Sequence, residues 1–170
     1  MVDIIYKNGN LLDAEERIIM HGCNAQGIMG AGVAKQIKEK FPESYLKYRE
    51  AFNKNRLYLG NIIWSISGEK IIGNAITQEN YGGIRVKPYI DYEALTEVIY
   101  CINDMIEVFD FYNFGDTSTI LNLELIPVAF PLIGAGFAGG SWKNISRIIQ
   151  EKSKYFQPII YTLDGEIPND

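Results

Sequence analysis

Hydrophobic residues along the chain fall into short runs that alternate with longer segments of helical spacing. The apolar and β-branched runs predict six strands, over Asp3–Lys7, Arg17–Gly22, Asn61–Ser65, Lys70–Ile76, Leu125–Phe130 and Ile159–Leu163. Apolar residues three or four positions apart predict helices over Gly32–Lys40, Glu43–Phe52, Tyr89–Phe109 and Trp142–Lys154. This mixed order is typical of a three-layer α/β domain, with helices on both faces of a sheet.

Two of the predicted strands are separated only by a short turn with the sequence SGEK. This pattern over Asn61–Ile76 predicts a β-hairpin, so we expect a mixed sheet rather than a purely parallel one. The length of 170 residues predicts a single domain over 1–170. A domain of that size buries about 70% of its unfolded surface in one core. The polar residues from 164 to 170 predict a frayed tail.

Composition and charge narrow the classes of function. Hydrophobic residues make up 47% of the chain, yet no apolar run approaches the roughly 18 residues of a membrane span. The first residues, MVDIIYKNGN, lack the pattern of a signal peptide, which predicts a cytoplasmic location. The net charge of -5 argues against a protein that binds nucleic acid through a basic face.

The metal-binding residue types are few and scattered. His21 is the single histidine, which excludes a catalytic metal held by three histidines. Cys23 and Cys101 lie far apart in the sequence and form no C-x-x-C motif, which is typical of a reduced compartment rather than of a zinc site. We therefore expect no metal and no cofactor.

Two glycine-rich turns each connect a predicted strand to a predicted helix. The sequence GIMGAG occupies Gly27–Gly32, and IGAGFAGGSW occupies Ile133–Trp142. Glycine allows backbone N–H groups to crowd together, and a helix N-terminus adds a partial positive charge. One such turn alone indicates only tight packing. Two of them at the carboxyl ends of strands favour an anionic ligand, with a diphosphate gripped from both sides.

The order of the glycines argues against the commonest nucleotide-binding families. G-x-x-G-x-G differs from the dinucleotide fingerprint G-x-G-x-x-G, and the chain has no G-x-x-x-x-G-K-[ST] motif. The G-x-S-x-G elbow of serine hydrolases is also absent. Hydride transfer, nucleoside triphosphate hydrolysis and triad chemistry therefore lack their usual signatures.

Four segments together resemble the macro domain family of ADP-ribose-binding modules. They read KNGNLL, HGCNAQGIMGAGVAKQIKEKFPESYLKY, NAITQENYGG and PLIGAGFAGGSWKNI, and they span nearly the whole chain in the family's order. The chain is most similar to the ADP-ribose 1''-phosphate phosphatase branch, in which His-x-Cys-Asn precedes the glycine loop. The resemblance implies an α/β/α fold with a mixed central sheet, and ADP-ribose or its 1''-phosphate as the ligand. It implies a metal-independent phosphatase with no membrane partner, for which nucleic acid is at most an ADP-ribosylated substrate.

The resemblance also implies the parts of the binding site. An early turn holds the adenine, with Asn10 where many macro domains have aspartate. The end of the second strand reaches the distal ribose, with Asn24 bonding its hydroxyls, and two loops enclose the diphosphate and the terminal phosphate. The implied ligand-binding residues are Gly9, Asn10, Leu11, Gly22, Cys23, Asn24, Gly27, Met29, Gly30, Ala31, Gly32, Val33, Ala34, Leu132, Ile133, Gly134, Ala135, Gly136, Phe137 and Ala138.

Other branches of the family imply alternative functions. Macro domains that remove ADP-ribose from glutamate or from DNA use a lysine shortly after the central strand, where this chain has Gln78 and Glu79. An aspartate that one of these branches carries in the second loop is replaced by Ala138. Without the amine, a covalent lysine mechanism is not expected. An ADP-ribosyl glycohydrolase and a non-catalytic ADP-ribose reader nevertheless remain alternatives.

The implied catalytic residues are His21 and Asn24. His21 lies three residues before Asn24, where an imidazole could move a proton to or from water or the sugar oxygen. An equally good interpretation is that His21 ends a buried strand and donates a hydrogen bond inside the protein. Cys23 is expected to line the pocket without reacting. Tyr81 and Phe137 either cover the distal ribose or cap the core.

Overall fold

The computed structural model describes residues 1–82, 88–114 and 125–168. The strands are β1 (Ile5–Asn8), β2 (Ile18–Asn24), β3 (Ile62–Ser67), β4 (Lys70–Gln78), β5 (Ile126–Phe130) and β6 (Phe156–Thr162). The helices are α1 (Gly32–Lys40), α2 (Pro42–Asn53), α3 (Tyr92–Phe114) and α4 (Trp142–Lys152), with one 3-10 turn at Leu11–Asp13. Every predicted strand and helix is therefore present, whereas the 3-10 turn was not predicted.

The boundaries of α3 differ from the predicted ones at both ends, since the helix runs to Phe114 rather than to Phe109. The helix begins at Tyr92 rather than at Tyr89, because the Asp91 carboxylate accepts a hydrogen bond of 2.9 Å from the backbone N–H of Ala94. An aspartate in this position satisfies an N–H group that the first turn of a helix leaves without a partner. The spacing of apolar residues continues across Tyr89, so the sequence periodicity alone could not place the boundary.

The six strands form one mixed sheet in the order β1-β6-β5-β2-β4-β3. The β3–β4 pair is antiparallel, which confirms the predicted hairpin, and the other neighbouring strands pair in parallel. The carboxyl ends of β2, β5 and β6 consequently lie at the same edge of the sheet. Open α/β sheets bind their ligands at this edge.

Two helices cover each face of the sheet, which confirms the three-layer α/β class. On one face, Ile102 of α3 and Ile145 of α4 pack in a cluster that includes Val128 of β5. On the other face, Ile37 of α1 packs with Ile19 of β2, and Tyr48 of α2 packs in a further cluster. Among the described residues, no helix is long and apolar enough to cross a membrane.

Candidate functional site

A cavity of about 850 Å³ lies at the carboxyl ends of the parallel strands. Such a volume is sufficient for a small-molecule ligand of nucleotide size. The structure brings most of the predicted ligand-binding residues to its walls: Gly9, Asn10, Leu11, Gly22, Cys23, Asn24, Gly30, Ala31, Gly32, Val33, Ala34, Leu132, Ile133, Gly134, Ala135, Gly136, Phe137 and Ala138. The remaining three predicted site residues, His21, Gly27 and Met29, are not among the described residues that line the cavity.

The first turn of α1 forms part of the cavity wall. Gly32, Val33 and Ala34 line the cavity, and the N-cap residue Ala31 has no side chain that could accept from their N–H groups. In contrast, the N-terminus of α4 is capped by Ser141, whose hydroxyl accepts from Asn144 N. The first N–H groups of any α-helix lack partners within the helix. The uncapped start of α1 is therefore suited to bind an anion in the cavity.

The two glycine loops meet across the cavity. Gly32 has a φ of +56°, and a Cβ atom at this position would lie 3.1 Å from Cδ2 of the Phe137 ring. Glycine is thus required here both by the backbone conformation and by the close approach of the second loop. Phe137 and Tyr81 both line the cavity, and the Phe137 side chain is 77% exposed. The two rings lie where they could cover a bound ligand.

The cavity walls carry little formal charge. None of the described residues that line the cavity is lysine, arginine or histidine, and Asp164 is the one acidic residue among them. An anion bound in this part of the protein would have to be held by backbone N–H groups and neutral side chains. The two glycine loops supply such groups.

Asn24 organises the first glycine loop through its side-chain amide. Its Oδ1 accepts hydrogen bonds from the N–H groups of Gln26 at 3.0 Å and Ile28 at 3.3 Å. Its Nδ2 donates to the carbonyl of Ile28 at 2.8 Å. A primary amide has two N–H donors. Asn24 can therefore hold the loop and still present one N–H group to a ligand.

Gly27 and Met29 join the same loop to residues of α2. Arg49 Nη1 donates to the Gly27 carbonyl at 3.0 Å, and the Arg49 guanidinium lies over the Phe52 ring at 4.9 Å. A Cβ atom on Gly27 would lie 2.7 Å from both Arg49 Nη1 and Phe52 Cγ. Met29 is buried in a cluster with Tyr48. Both residues were predicted to bind the ligand; neither is among the described residues that line the cavity, and a binding role for them stays a prediction.

Replacing Gly27 by alanine should therefore destabilise the fold. Gly27 has a φ of +73°, which costs a residue with a Cβ about 1–2 kcal/mol, and displacing the Phe52 ring adds about 1–3 kcal/mol. Gly68→Ala is the matched control, because Gly68 has a φ of +59° with nothing within 4 Å of the added Cβ. Urea unfolding of both variants should show the larger loss for Gly27→Ala. Equal losses would contradict the packing role.

His21 lies beneath the cavity rather than in its wall. Its side chain is fully buried, and Nε2 lies 2.6 Å from Oδ1 of Asn74 on β4. Because an amide oxygen can only accept, Nε2 of the imidazole must be the donor in this contact. The Ser44 hydroxyl donates to the same oxygen at 2.9 Å. This leaves Nδ1 as an acceptor, with the thiol Sγ of Cys23 at 3.7 Å.

The environment of His21 favours its neutral form. Burial lowers the pKa of His21 to about 4, against a smaller upward effect of the Asn74 hydrogen bond. Burial also raises the pKa of the Cys23 thiol, which remains protonated. Both ring nitrogens of His21 thus have partners inside the protein. This geometry favours the interior interpretation of His21, and a role in proton transfer stays a prediction.

The chain segments that follow β1 and β6 also contribute residues to the cavity walls. Asn10, which was expected to bond the adenine, uses Oδ1 to accept from Leu12 N at 3.0 Å and so caps the 3-10 turn. Asp164 and Pro168 also line the cavity, although residues 164–170 were predicted to fray. These two residues of the tail contribute to the cavity wall, and fraying of the tail stays a prediction.

Tyr161, which also lines the cavity, is held by a hydrogen bond to a buried carboxylate. Its hydroxyl donates to Glu16 Oε2 at 2.7 Å, and Lys7 Nζ donates to Glu16 Oε1 at 2.6 Å. Burial of Glu16 opposes ionisation, but the hydrogen bonds from Lys7 and Tyr161 hold the pKa of its carboxyl below the ordinary value. An ionised Glu16 therefore anchors Tyr161 in the wall of the cavity.

Several lining residues were missed by the sequence prediction. They come from the 3-10 turn, the first glycine loop, α1, and the ends of β4, β5 and β6 with the connections that follow: Leu12, Ile28, Gln36, Thr77, Gln78, Gly82, Tyr89, Pro131, Tyr161, Thr162, Leu163, Asp164 and Pro168. The rule that ligands bind at the carboxyl ends of parallel strands could have identified those after β6. Side chains such as Gln36 and Tyr89 carry no comparable signal.

Comparison with known proteins shows which fold this geometry has. No protein-family model matches the chain. The macrodomain of Thermus aquaticus DarG superposes with a TM-score of 0.68 at 24% identity, covering 94% of this chain and 98% of that one. The chain has the fold of a macro domain. This fold agrees with the resemblance of the two glycine-loop sequences to those of macro domains.

Curated relatives of this chain carry two different names. The chain is 26% identical over 148 residues to the DNA ADP-ribosyl glycohydrolase of Mycobacterium tuberculosis, covering 85% of this chain and 37% of that protein. It is 34% identical over 88 residues to the ADP-ribose 1''-phosphate phosphatase of Candida glabrata, covering 49% of each. The chain thus spans less than half the length of either relative.

Proposed function

We propose that this macro domain binds ADP-ribose and hydrolyses the terminal phosphate of ADP-ribose 1''-phosphate. The reaction consumes water: an oxygen of water attacks the phosphorus, and the bond from phosphorus to the oxygen on C1'' breaks. The products are ADP-ribose and inorganic phosphate. His21 and Asn24 are the candidate catalytic residues from the sequence, and the geometry favours Asn24.

The observation that carries the proposal is the uncapped start of α1 in the cavity wall. Gly32, Val33 and Ala34 line the cavity at a helix terminus that has no side-chain cap. The second glycine loop stands opposite, with Phe137 against Gly32. Backbone N–H groups held in place before the substrate arrives stabilise charge on a phosphate without reorganising. Electrostatic stabilisation of this kind requires neither a metal nor a basic side chain.

The neutral walls of the cavity support a phosphatase over a lysine-dependent glycohydrolase. The described lining residues include no lysine, and Gln78 stands at the end of β4. A covalent mechanism on an amine has no candidate among these residues. Asn24, with one free N–H group, is placed to bind a ribose hydroxyl or a water molecule.

A second candidate is an ADP-ribosyl glycohydrolase that acts on modified DNA or protein. The observation that favours it is the match to the M. tuberculosis DNA ADP-ribosyl glycohydrolase, which extends over 85% of the chain. A non-catalytic reader of ADP-ribose would need the same two loops. In both alternatives the ligand is still ADP-ribose. The glycohydrolase would break the bond between C1'' and the modified group, whereas the reader would break no bond.

Parallel incubations distinguish the three functions. The protein is mixed with ADP-ribose 1''-phosphate, with an ADP-ribosylated protein and with ADP-ribosylated DNA, and released phosphate and ADP-ribose are measured. We expect phosphate release from the first substrate and no ADP-ribose from the others. The Asn24→Ala variant, purified identically, controls for contaminating phosphatases. ADP-ribose release would support the glycohydrolase, and binding without turnover would support the reader.

A further inference from the structure

One face of α2 carries polar side chains that are completely buried. Ser44 and Tyr48 are four residues apart and both are 0% exposed. Residues at this spacing lie on the same side of a helix. The Ser44 hydroxyl contacts Asn74 at 2.9 Å, and the Tyr48 hydroxyl contacts Asn24. This face of α2 therefore bonds to the two strands that end at the cavity.

The Tyr48 hydroxyl makes two contacts with the same residue. It lies 2.6 Å from the backbone carbonyl of Asn24 and 3.0 Å from its side-chain Oδ1. Burial raises the pKa of Tyr48 well above its ordinary value, so the phenol stays protonated and is the donor. A buried hydroxyl that lost these acceptors would incur the cost of desolvation without compensation.

Asn24 transmits this contact to the cavity wall. The same Oδ1 that accepts from Tyr48 also accepts from the N–H groups of Gln26 and Ile28. Ile28 itself lines the cavity, and so does Asn24. The next residue of α2, Arg49, donates to the carbonyl of Gly27. The helix thus fastens the loop at its first residue and again three residues later.

We propose that Tyr48 is a positioning residue of this site: its hydroxyl holds Asn24, and through Asn24 the 24–28 loop, in the conformation that binds the distal ribose. The inference rests on the proposed function, since it assumes ADP-ribose as the ligand. Tyr48 itself is not among the described residues that line the cavity. Its effect on the ligand is carried entirely by Asn24.

The ring and the hydroxyl of Tyr48 have separable roles. The ring packs in a cluster with Cys23, Met29 and Ile76. Tyr48→Phe keeps this packing and removes only the donor. The matched control is Tyr45→Phe on the same helix, because the Tyr45 ring is only half-buried beneath Lys38 Nζ at 4.3 Å. Tyr45 packs against the edge of the same cluster, and among the described contacts it is Tyr48, not Tyr45, that bonds to Asn24, so the control makes the same chemical change without removing that bond.

The test measures the affinities of these proteins for ADP-ribose and for ADP, which lacks the distal ribose. We expect Tyr48→Phe to bind ADP-ribose roughly 5- to 20-fold more weakly, the scale of one or two lost hydrogen bonds, with ADP affinity within about twofold of wild type. Tyr45→Phe should match wild type for both ligands. Amide hydrogen exchange should show faster exchange at Gln26 and Ile28 in Tyr48→Phe alone, and this measurement requires no ligand.

Each outcome bears on a separate claim. If the wild type binds neither ligand, the proposed function is wrong, and the exchange data alone decide whether Tyr48 orders the loop. If the wild type binds ADP-ribose and Tyr48→Phe binds it equally well, the positioning role is wrong. Equal weakening for ADP and ADP-ribose would also overturn it, since that result indicates a general loss of structure. The double variant provides a further test. When Asn24→Ala is already present, adding Tyr48→Phe should not change the ratio of the affinity for ADP-ribose to the affinity for ADP.

Discussion

Replacing Asn24 by alanine should lower the affinity for ADP-ribose about 100-fold, because several hydrogen bonds worth about 1 kcal/mol each are lost together. The variant loses the acceptor for the N–H groups of Gln26 and Ile28 and the donor to the Ile28 carbonyl. It also loses the remaining amide N–H group that we assign to the distal ribose. Isothermal titration calorimetry with ADP-ribose measures the effect.

Asn103→Ala is the matched control for this variant. Asn103 is also a buried asparagine that ties a loop, since it donates to the Lys152 carbonyl at 2.8 Å and accepts from Lys154 N at 2.9 Å. It lies on α3, and it is not one of the described residues that line the cavity. Asn103→Ala should reduce stability yet preserve ADP-ribose affinity. Preserved affinity in Asn24→Ala would remove Asn24 from the proposed site.

The order of strands and helices was predictable because the apolar residues of each element recur at the period of that element. Ile18 and Ile19 of β2 and Ile72 of β4 lie in runs of β-branched residues, and Ile37 of α1 repeats at helical spacing with Val33. Those periods are local properties of the chain. The 3-10 turn after β1 has no such period, since it depends on the Asn10 cap.

The two glycine loops were also predictable, but the role of each glycine was not. Gly27 and Gly32 both have positive φ, and in the sequence they are indistinguishable. The structure separates them by their neighbours: Arg49 and Phe52 pack on Gly27, whereas Phe137 approaches Gly32 in the cavity wall. Contacts between residues more than twenty positions apart decide which glycine faces a ligand.

His21 shows the same limit of sequence reasoning. Period-2 alternation correctly places His21 and Cys23 on one face of β2, and their side chains are 3.7 Å apart. The partner that fixes the imidazole, Asn74, is 53 residues away in the sequence. Only the pairing of β2 with β4 places Asn74 beside His21 and ties the imidazole inside the protein, although Cys23 on the same face lines the cavity.

The buried imidazole should make the stability of the protein fall as the pH is lowered from 7 to 5. Unfolded histidine has a pKa of about 6.5, whereas burial lowers the pKa of His21 in the folded protein to about 4. Below pH 6.5 the unfolded state therefore binds a proton that the folded state does not. The free energy of unfolding should drop by about 2 kcal/mol by pH 5 and by about 3 kcal/mol near pH 4, and the loss from this group should level off below pH 4 at about 3.4 kcal/mol.

His21→Gln tests this origin of the pH dependence. A glutamine Nε2 can still donate to the Asn74 oxygen that accepts from His21 at 2.6 Å, but it does not titrate. Urea unfolding at a series of pH values should show a slope between pH 7 and pH 5 in the wild type that is absent from the variant. His21 is the single histidine of the chain, so no other imidazole can produce the slope. Parallel curves for the two proteins would mean that His21 is accessible to protons in the folded state, and would return it to consideration as the acid or base of the reaction.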